Sequence, residues 1–333
     1  MFQVEPVLWL QSLESPSLTW FFSTITNLGY TRIYIMVLIA VMFGLHLRKG
    51  LFVFLTIVVC GLFTHAMKNG FQLPRPSDID SRVIEPGHFT SIALIDGGAA
   101  DSFLALPSPE ARELVKAQTD WSYGFPSGHV SLAAAFMLGL AFFFRSKPFL
   151  AFAVVWTLLM ALSRMYLGRH FIADVLGGMG VGVFVIALSN FLIRPIKKEG
   201  AGVTKIKDLT RLSVFGLLLL LLSPFIELLD KENIGRLFGL VFTIGFLIWL
   251  GFPSDNTIWW KRIARVALAF LAFFLFNAFI NPYIESMALA EDGYPILFVT
   301  ALLSFVPLVL IVLGAKALKL YELGTHEITA VDN

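Results

Sequence analysis

Long apolar runs, separated by short polar or basic connections, make up most of the chain. The first covers about residues 30–47 and the second about 51–67, each near the roughly 20 residues that a helix needs to cross a bilayer. A polar stretch, about 69–125, follows the second run. Further apolar runs cover about 128–144, 149–167, 171–193, 212–229, 235–252, 264–281 and 295–315. The pattern predicts an all-α, polytopic membrane bundle of about nine transmembrane helices with a polar insert after the second.

Residues 1–29 do not have the pattern of a span. Their apolar residues alternate with Gln, Glu, Ser and Asn, and Pro16 interrupts them. A segment that lies on the membrane surface is therefore predicted. Because Glu5 and Glu14 flank the first apolar residues and no basic region precedes them, no cleaved signal peptide is expected.

Five segments follow from this pattern. They are an interfacial segment 1–29, a membrane core 30–193 with its insert 69–125, a basic connection 194–211, four additional helices within 212–318, and a tail 319–333.

The insert is predicted to contain a short helix. Ser108, Pro109 and Glu110 have the order of a helix N-cap, first position and first turn.

Composition agrees with a membrane protein. Hydrophobic residues make up 57% of the 333 and charged residues 14%, and the mean hydropathy is +0.79, which excludes an ordinary soluble domain. The net charge of +2 provides no field to attract nucleic acid, so no nucleic-acid partner is expected. Cys60 is the single cysteine, so the chain forms no internal disulfide and no cysteine metal site.

The basic residues predict an orientation. If the N-terminus is outside and the nine runs alternate, 15 of the 25 Lys and Arg residues fall on cytoplasmic segments, where positive charge is retained. The C-terminus is then cytoplasmic, and the insert and the stretch Ser163–Asp174 lie at the extracytoplasmic face. The predicted location is a plasma (inner) membrane.

Ser163–Asp174, which reads SRMYLGRHFIAD, is the most unusual stretch. If the chain is helical from His170, then His170 and Asp174 share one helix face, and the carboxylate can hold one imidazole nitrogen while the other stays free. That arrangement is typical of a nucleophilic or basic histidine with its orienting acid. Arg164 offers a fork of donors suited to phosphate oxygens. Arg169 could add a phosphate contact or face solvent and lipid headgroups.

Two other stretches are predicted to reach the same membrane face. In KNGFQLPRP, Lys68 and Arg75 could converge on one anion, although alone they could equally be basic residues at a membrane boundary. In FPSGHVS, Ser127 begins a span, Gly128 allows a ligand to approach the first backbone amides, and His129 lies in the first turn. Alone, His129 could be an ordinary boundary residue.

Together the three stretches resemble the signature of the type-2 phosphatidic acid phosphatase superfamily, which includes glucose-6-phosphatase and the vanadium-dependent haloperoxidases. The order Lys-x6-Arg-Pro, Pro-Ser-Gly-His, Ser-Arg-x5-His-x3-Asp is complete between residues 68 and 174. The matching positions are Lys68, Arg75, Pro76, Pro126, Ser127, Gly128, His129, Ser163, Arg164, His170 and Asp174.

The resemblance implies a role for each of these residues. His170 would attack phosphorus and form a phosphohistidine, Asp174 would orient it, and His129 would act as general acid and then general base. No cofactor and no metal would be needed. The phosphate oxygens would be held by Lys68, Arg75, Ser127, Gly128 and Arg164.

The expected function is hydrolysis of a lipid phosphate or diphosphate at the bilayer surface. The resemblance suggests undecaprenyl diphosphate, phosphatidate, phosphatidylglycerophosphate or a lipid A phosphate as substrates. Nine spans with an outward site also resemble the layout of glucose-6-phosphatase, which leaves a soluble sugar phosphate as an alternative. A relative that binds or transports lipid without turnover is a third possibility, against which intact His129, His170 and Asp174 argue.

The predicted orientation can be tested by labelling. In a Cys60→Ala background, a cysteine at Ser108 should react with an impermeant maleimide in intact cells or spheroplasts, whereas a cysteine at Thr204 should react only after lysis. The reverse pattern would place the insert in the cytoplasm, with about 15 Lys and Arg residues on the translocated side.

Overall fold

Nearly all of the secondary structure in the part of the chain that is described is helical. The structure, a computed structural model, describes residues 1–85, 93–118, 122–197, 230–251, 253–254, 258–286 and 294–323. A two-residue antiparallel pair, β1 (Pro253–Ser254) with β2 (Glu322–Leu323), accompanies the helices. The helices are α1 (Glu5–Gln11), α2 (Pro16–Leu28), α3 (Thr31–Gly44), α4 (Leu47–Phe71), α5 (Pro76–Ile79), α6 (Pro109–Lys116), α7 (Gly128–Ala133), α8 (Gly139–Phe144), α9 (Lys147–Tyr166), α10 (Ile172–Lys197), α11 (Lys231–Leu250), α12 (Trp259–Ser286) and α13 (Tyr294–Ala317).

The prediction of an all-α membrane bundle is confirmed, but the count of nine spans is not. Among the described residues, six helices, α4 and α9 to α13, are long and apolar enough to cross a bilayer, and α2 with α3 would make a seventh as one span bent by 56°. The helical run of α7, a π-turn (Ala134–Leu138) and α8 covers Gly128–Phe144, the range of a predicted span, but it is shorter than the six helices named above. The predicted span 212–229 lies outside the described residues.

The chain divides into two compact units, each made of two separate stretches. One contains Met1–Tyr34 and Phe63–Ile186, and the other contains Ile35–Leu62 and Ala187–Asn333. All residues of the predicted site belong to the first unit. The domain boundaries predicted from the sequence stay a prediction.

The N-terminal segment packs on α9. Ser15 caps α2 by accepting a hydrogen bond from the Leu18 amide at 3.3 Å, and Pro16 follows at the first helical position. From α2, the Thr26 hydroxyl lies 3.0 Å from that of Ser163, a buried contact with the third signature stretch. The segment that was predicted to be interfacial therefore supports the helix that carries Ser163.

In the second unit, small residues allow α11 and α13 to approach closely. Gly235 and Gly239, four apart on α11, face Thr300 and Ala301 of α13, and an added Cβ at Gly239 would lie 2.1 Å from the Ala301 carbonyl oxygen. This spacing is typical of helix pairs in membranes, where association depends on close packing rather than on a hydrophobic driving force.

The insert adds a small core at one end of the first unit. Ser108 caps α6 by accepting a hydrogen bond from the Ala111 amide at 3.2 Å, which confirms the predicted short helix. Ala111 is fully buried against Ile79 of α5 and Phe171, the residue after His170. The insert is thus packed directly beside two of the signature stretches.

Glycines on α10 set the distance to α7. An added Cβ at Gly178 would lie 2.8 Å from the Ser127 carbonyl oxygen, and one at Gly182 would lie 2.3 Å from the Ala134 Cβ. Real Cβ atoms do not approach this closely, so both positions require glycine. Because α10 carries Asp174 and α7 follows Ser127, this contact brings two parts of the site together.

Replacing one of these glycines should separate the helices. Gly182→Ala is expected to lower the free energy of unfolding by about 1–3 kcal/mol, because two backbones must move apart. Gly180→Ala, on the same helix with nothing within 4 Å of the added Cβ, is the matched control and should be neutral or slightly stabilising. Thermal unfolding in detergent measures both. Equal effects of the two substitutions would show that the α7–α10 contact is not tight.

Candidate active site

The first signature stretch begins on α4 and ends at the start of α5. Helix α4 continues to Phe71, beyond the predicted end at residue 67, so Lys68 lies in its last turn rather than at its end. The Lys68 ammonium donates a hydrogen bond to the Tyr123 carbonyl oxygen. Arg75 stands before α5, where the Asp78 carboxylate accepts its backbone N–H at 2.7 Å, and its guanidinium donates to the Ser122 hydroxyl at 2.6 Å.

The second stretch forms the N-terminus of α7. Ser127 is the N-cap residue, and Gly128 and His129 occupy the first turn, as predicted. The Ser127 side chain does not cap this helix, so the first amides receive no side-chain acceptor from the cap position. Its own backbone N–H donates to the Asp174 carbonyl oxygen at 2.9 Å. This bond joins the second stretch to the third.

The third stretch passes from the last turn of α9 to the first turn of α10. Arg164 lies in α9, and Gly168 turns the chain with φ +71°, the left-handed region that favours glycine. Helix α10 begins at Ile172, so the expectation that His170 is itself helical is wrong. His170 precedes the helix, and Asp174 reaches back toward it from the first turn.

Asp174 nevertheless holds His170 as the spacing predicted. Its Oδ2 lies 3.3 Å from the His170 Nδ1 and accepts the Phe171 backbone N–H at 2.9 Å. A carboxylate in the third position of a helix often accepts the N-cap amide in this way, so the helix start itself fixes the carboxylate. Both side chains are buried, with 3% of His170 and 0% of Asp174 exposed. The Nε2 of His170 is left free of the carboxylate.

Three cations surround this pair. The charges of Arg164, Lys68 and Arg75 all act on His170. Burial, together with these charges, lowers the pKa of His170 well below its usual 6.5, because a buried imidazolium beside cations is unfavourable. His170 is therefore neutral at physiological pH, the form in which a histidine is a nucleophile.

Several polar atoms of the site are buried without a hydrogen-bond partner among the described residues. They include nitrogens on two arginines, one imidazole nitrogen and one hydroxyl, all of which an oxyanion could satisfy. In the part of the chain that the structure describes, no group of three or more His, Cys, Asp or Glu side chains is placed to hold a metal ion. The unpartnered atoms that an oxyanion could satisfy are Arg75 Nε, Arg164 Nε, His129 Nε2 and Ser127 Oγ, and the acceptor Asp174 Oδ1 is also without a hydrogen-bond partner among the described residues.

The sequence model of the PAP2 superfamily matches residues 49–195, a range that contains every residue of this cluster. Residues 49–195 belong to the PAP2 superfamily. The resemblance inferred from the three stretches is confirmed, since the match covers all of them.

Relatives of this PAP2 segment are named as phosphatases. The chain is 37% identical over 86 residues to phosphatidylglycerophosphatase B of Bacillus subtilis, covering 23% of this chain and 42% of that protein. It is 37% identical over 101 residues to human sphingosine-1-phosphate phosphatase 2, covering 28% of this chain and 25% of that protein. Lipid A 4'-phosphatase of Bacteroides thetaiotaomicron is 22% identical over 212 residues, covering 59% and 83%. No solved structure matches the chain.

The chain thus spans less than half the length of the first two relatives. The activities in their names belong to those proteins, and the named substrates differ from one relative to the next.

Some neighbours of the PAP2 site could not be predicted from the sequence. The ring of Tyr30, at the break between α2 and α3, meets the ring of His129 edge-on, with centroids 5.1 Å apart. Arg32 lies over the same tyrosine, with its Cζ 5.7 Å from the ring centroid. Tyr30 precedes the PAP2 match and carries no motif, so only the packing of α2 reveals it.

Arg169 makes a contact that its sequence context did not suggest. Its guanidinium forms a 2.6 Å ion pair with Glu85, whose side chain is 2% exposed. Glu85 belongs to the insert, for which the sequence indicated no role in the PAP2 site. The pairing could not be predicted because the two residues are joined only by the folded path of the insert.

The buried, neutral state of His170 predicts how stability depends on pH. The unfolded chain takes up a proton on this residue below pH 6.5, whereas the folded chain does not, so folding is disfavoured as the pH falls. Relative to His170→Gln, the wild type should lose about 1.4 kcal/mol for each pH unit below that value. Thermal unfolding of both proteins at about pH 7.5 and 5.5 measures this difference, in which other titrating groups cancel. A constant difference would mean that His170 titrates alike in both states.

Proposed function

We propose that this protein is an integral membrane phosphatase that hydrolyses a lipid phosphate or diphosphate through a phosphohistidine intermediate. The observation that carries the proposal is the buried His170–Asp174 pair, with Nδ1 toward the carboxylate and Nε2 free, beneath the three cations Lys68, Arg75 and Arg164. A histidine held this way is positioned to attack, and the cations offset the charge of the group that it attacks.

In the first step, the Nε2 lone pair of neutral His170 forms a bond to phosphorus, and the bond from phosphorus to the leaving oxygen breaks. The imidazolium character that develops is stabilised by Asp174, which accepts the Nδ1 proton in a hydrogen bond. The negative charge of the bound phosphate offsets the neighbouring cations and so favours a protonated His129, which gives its proton to the departing alkoxide or phosphate oxygen. The products of this step are the phosphohistidine and the dephosphorylated lipid or lipid monophosphate.

In the second step, water attacks the phosphohistidine. His129, now neutral, takes a proton from the water, the P–N bond breaks, and inorganic phosphate leaves with His170 restored. The three cations, the Ser127 hydroxyl and the amides that begin at Gly128 hold the non-bridging oxygens in both steps. These residues supply the charge that a metal ion supplies in other phosphatases, so we propose a metal-independent reaction.

A lipid substrate is supported by the surroundings of the site. Lys68 and Arg164 stand at the ends of membrane-length helices, so a polar head can reach the cations while its tail remains in lipid. The relatives are named for phosphates of a glycerophospholipid, a sphingoid base and lipid A. Undecaprenyl diphosphate also fits this class. The sugar-phosphate alternative was favoured by a layout of nine spans, a count that is not confirmed.

The orientation predicted from the basic residues completes the proposal. It places the site at the extracytoplasmic face of a plasma membrane, with the C-terminus in the cytoplasm. The substrate would then be presented from the outer leaflet.

Phosphate release by the purified protein in detergent, with excess EDTA, tests this function on a panel of lipid phosphates, isoprenyl diphosphates and sugar phosphates. We expect turnover of a lipid substrate. His170→Ala should abolish it, and Asp174→Asn should slow it by about 100-fold or more. Acid-quench trapping with labelled substrate should detect an acid-labile phosphoenzyme in the wild type and none in His170→Ala.

Two arginine substitutions, one inside the site and one outside it, form a matched comparison. Arg164→Gln should lower kcat/KM by about 100-fold or more, because a positioned cation is lost from the transition state. Arg145→Gln removes an exposed arginine from the end of α8 and should leave kcat/KM unchanged. Undiminished activity of His170→Ala would exclude the assigned nucleophile, and activity that required magnesium would exclude the metal-independent reaction.

A further inference from the structure

Glu85 is a buried carboxylate outside the three signature stretches. Its side chain is 2% exposed and meets two partners. The Ser77 hydroxyl donates to Oε1 at 2.6 Å, and the Arg169 Nη2 lies 2.6 Å from Oε2. Each carboxylate oxygen thus has its own partner.

Both partners of Glu85 adjoin residues of the site. Ser77 lies on α5, two residues after Arg75, and Arg169 directly precedes His170. The Arg169 backbone N–H donates to the Arg164 carbonyl oxygen at 3.0 Å, so its main chain is tied to the end of α9. Through Glu85, the segment that bears Arg75 is joined to the segment that bears Arg164 and His170.

The chain that carries Glu85 is itself fixed against the third stretch. An added Cβ at Gly168 would lie 2.8 Å from the Val83 side chain and 3.0 Å from the Ile84 carbonyl oxygen, so these backbones touch. The Gln11 amide donates to the Ile84 carbonyl oxygen at 2.6 Å and to that of Tyr166 at 3.1 Å. Because Gly168 and Gln11 both hold the backbone just before Glu85, they also restrict the position of the Glu85 side chain.

The charges of Arg169 and Glu85 also act on residues of the site. Arg169 and Glu85 both lie close enough for their charges to act on Arg75 and on Arg164. Because Glu85 pairs with Arg169, it balances part of the positive charge near Arg75 and Arg164. A buried carboxylate is costly unless it is paired and hydrogen-bonded, and this one satisfies both requirements.

The neighbouring pair of Asp80 and Arg82 shows the contrast. Asp80 is similarly buried, with 4% of its side chain exposed, and it pairs with Arg82 at 2.7 Å. Its partner is two residues away and 62% exposed, so that pair closes a local turn and reaches no signature stretch.

We propose that Glu85 is a positioning residue, which ties Ser77 beside Arg75 to Arg169 beside His170 and so fixes the phosphate-binding cations relative to the nucleophile. This inference rests on the proposed phosphatase function. Its physical basis is that catalysis by positioned charges tolerates displacements of only a fraction of an ångström.

The test compares full-length variants in detergent on the panel substrate that the wild type turns over best, with inorganic orthovanadate as a competitive inhibitor. Glu85→Gln keeps the size of the side chain and should lower kcat/KM by about tenfold or more and raise the vanadate Ki. A smaller folded fraction would lower the apparent kcat but leave Ki unchanged, so Ki separates positioning from mere instability. Ser77→Ala, which keeps the ion pair, should act in the same direction with a smaller effect.

Coupling and a matched control complete the experiment. Glu85→Gln with Arg169→Gln should be no worse than the more damaging single substitution, because both break one connection. Asp80→Asn is the matched control, because it removes another buried, paired carboxylate of the same segment. It should leave kcat/KM and Ki unchanged within about twofold.

Three results would overturn the inference. Wild-type kinetics in Glu85→Gln would show that the connection does not position the cations. A lower vanadate Ki in that variant would show that Glu85 restrains Arg169 from binding the anion. Equal losses of kcat/KM in Asp80→Asn would mean that the effect of Glu85→Gln comes from lower stability of the segment and not from positioning. If the wild type neither hydrolyses the panel nor binds vanadate, the proposed function fails, and the positioning role fails with it.

Discussion

Asp174 is the residue on which the arrangement of the site depends, because all three signature stretches meet around it. Its carboxylate accepts the Phe171 amide and holds His170, and its backbone carbonyl accepts the Ser127 amide. The same carboxylate lies 3.2 Å from the place of a Cβ on Gly124, whose amide is bonded to Leu73 in the first stretch. One fully buried side chain therefore fixes the order of the stretches in space, and the glycines of α10 make the approach possible.

The surroundings of this carboxylate compensate part of the cost of burying its charge. The backbone amide at the start of α10 and the positive end of the helix both favour a negative charge there. Lys68 and Arg75 act on it as cations. The cations in turn repel one another, and Glu85 and Asp78 offset part of that repulsion on the side of Arg75. Burial and the remaining positive charge together keep His170 neutral.

Much of this could be predicted from the sequence because the relevant information is local. A carboxylate four residues after a histidine, a proline on either side of Arg75, and Ser-Gly-His before an apolar run each determine nearby geometry. Span ends were also predicted to within a few residues, since hydropathy alone sets them. What could not be predicted depends on contacts between distant segments. Glu85 meets Arg169 only because the insert folds back, and Thr26 meets Ser163 only because α2 packs on α9.

The N-terminal segment shows why a motif defines chemistry more readily than selectivity. The groups that we propose to act on phosphorus all lie within residues 49–195, and the signature fixes their types and spacing. The side chain found edge-on to His129 is Tyr30, which precedes that range and is 43% exposed. In the proposed mechanism His129 protonates the leaving group, so whatever touches His129 also borders the part of the substrate that distinguishes one lipid phosphate from another. In the proposed mechanism, the chemistry is thus carried by residues 49–195, while Tyr30, which precedes them, borders the leaving group.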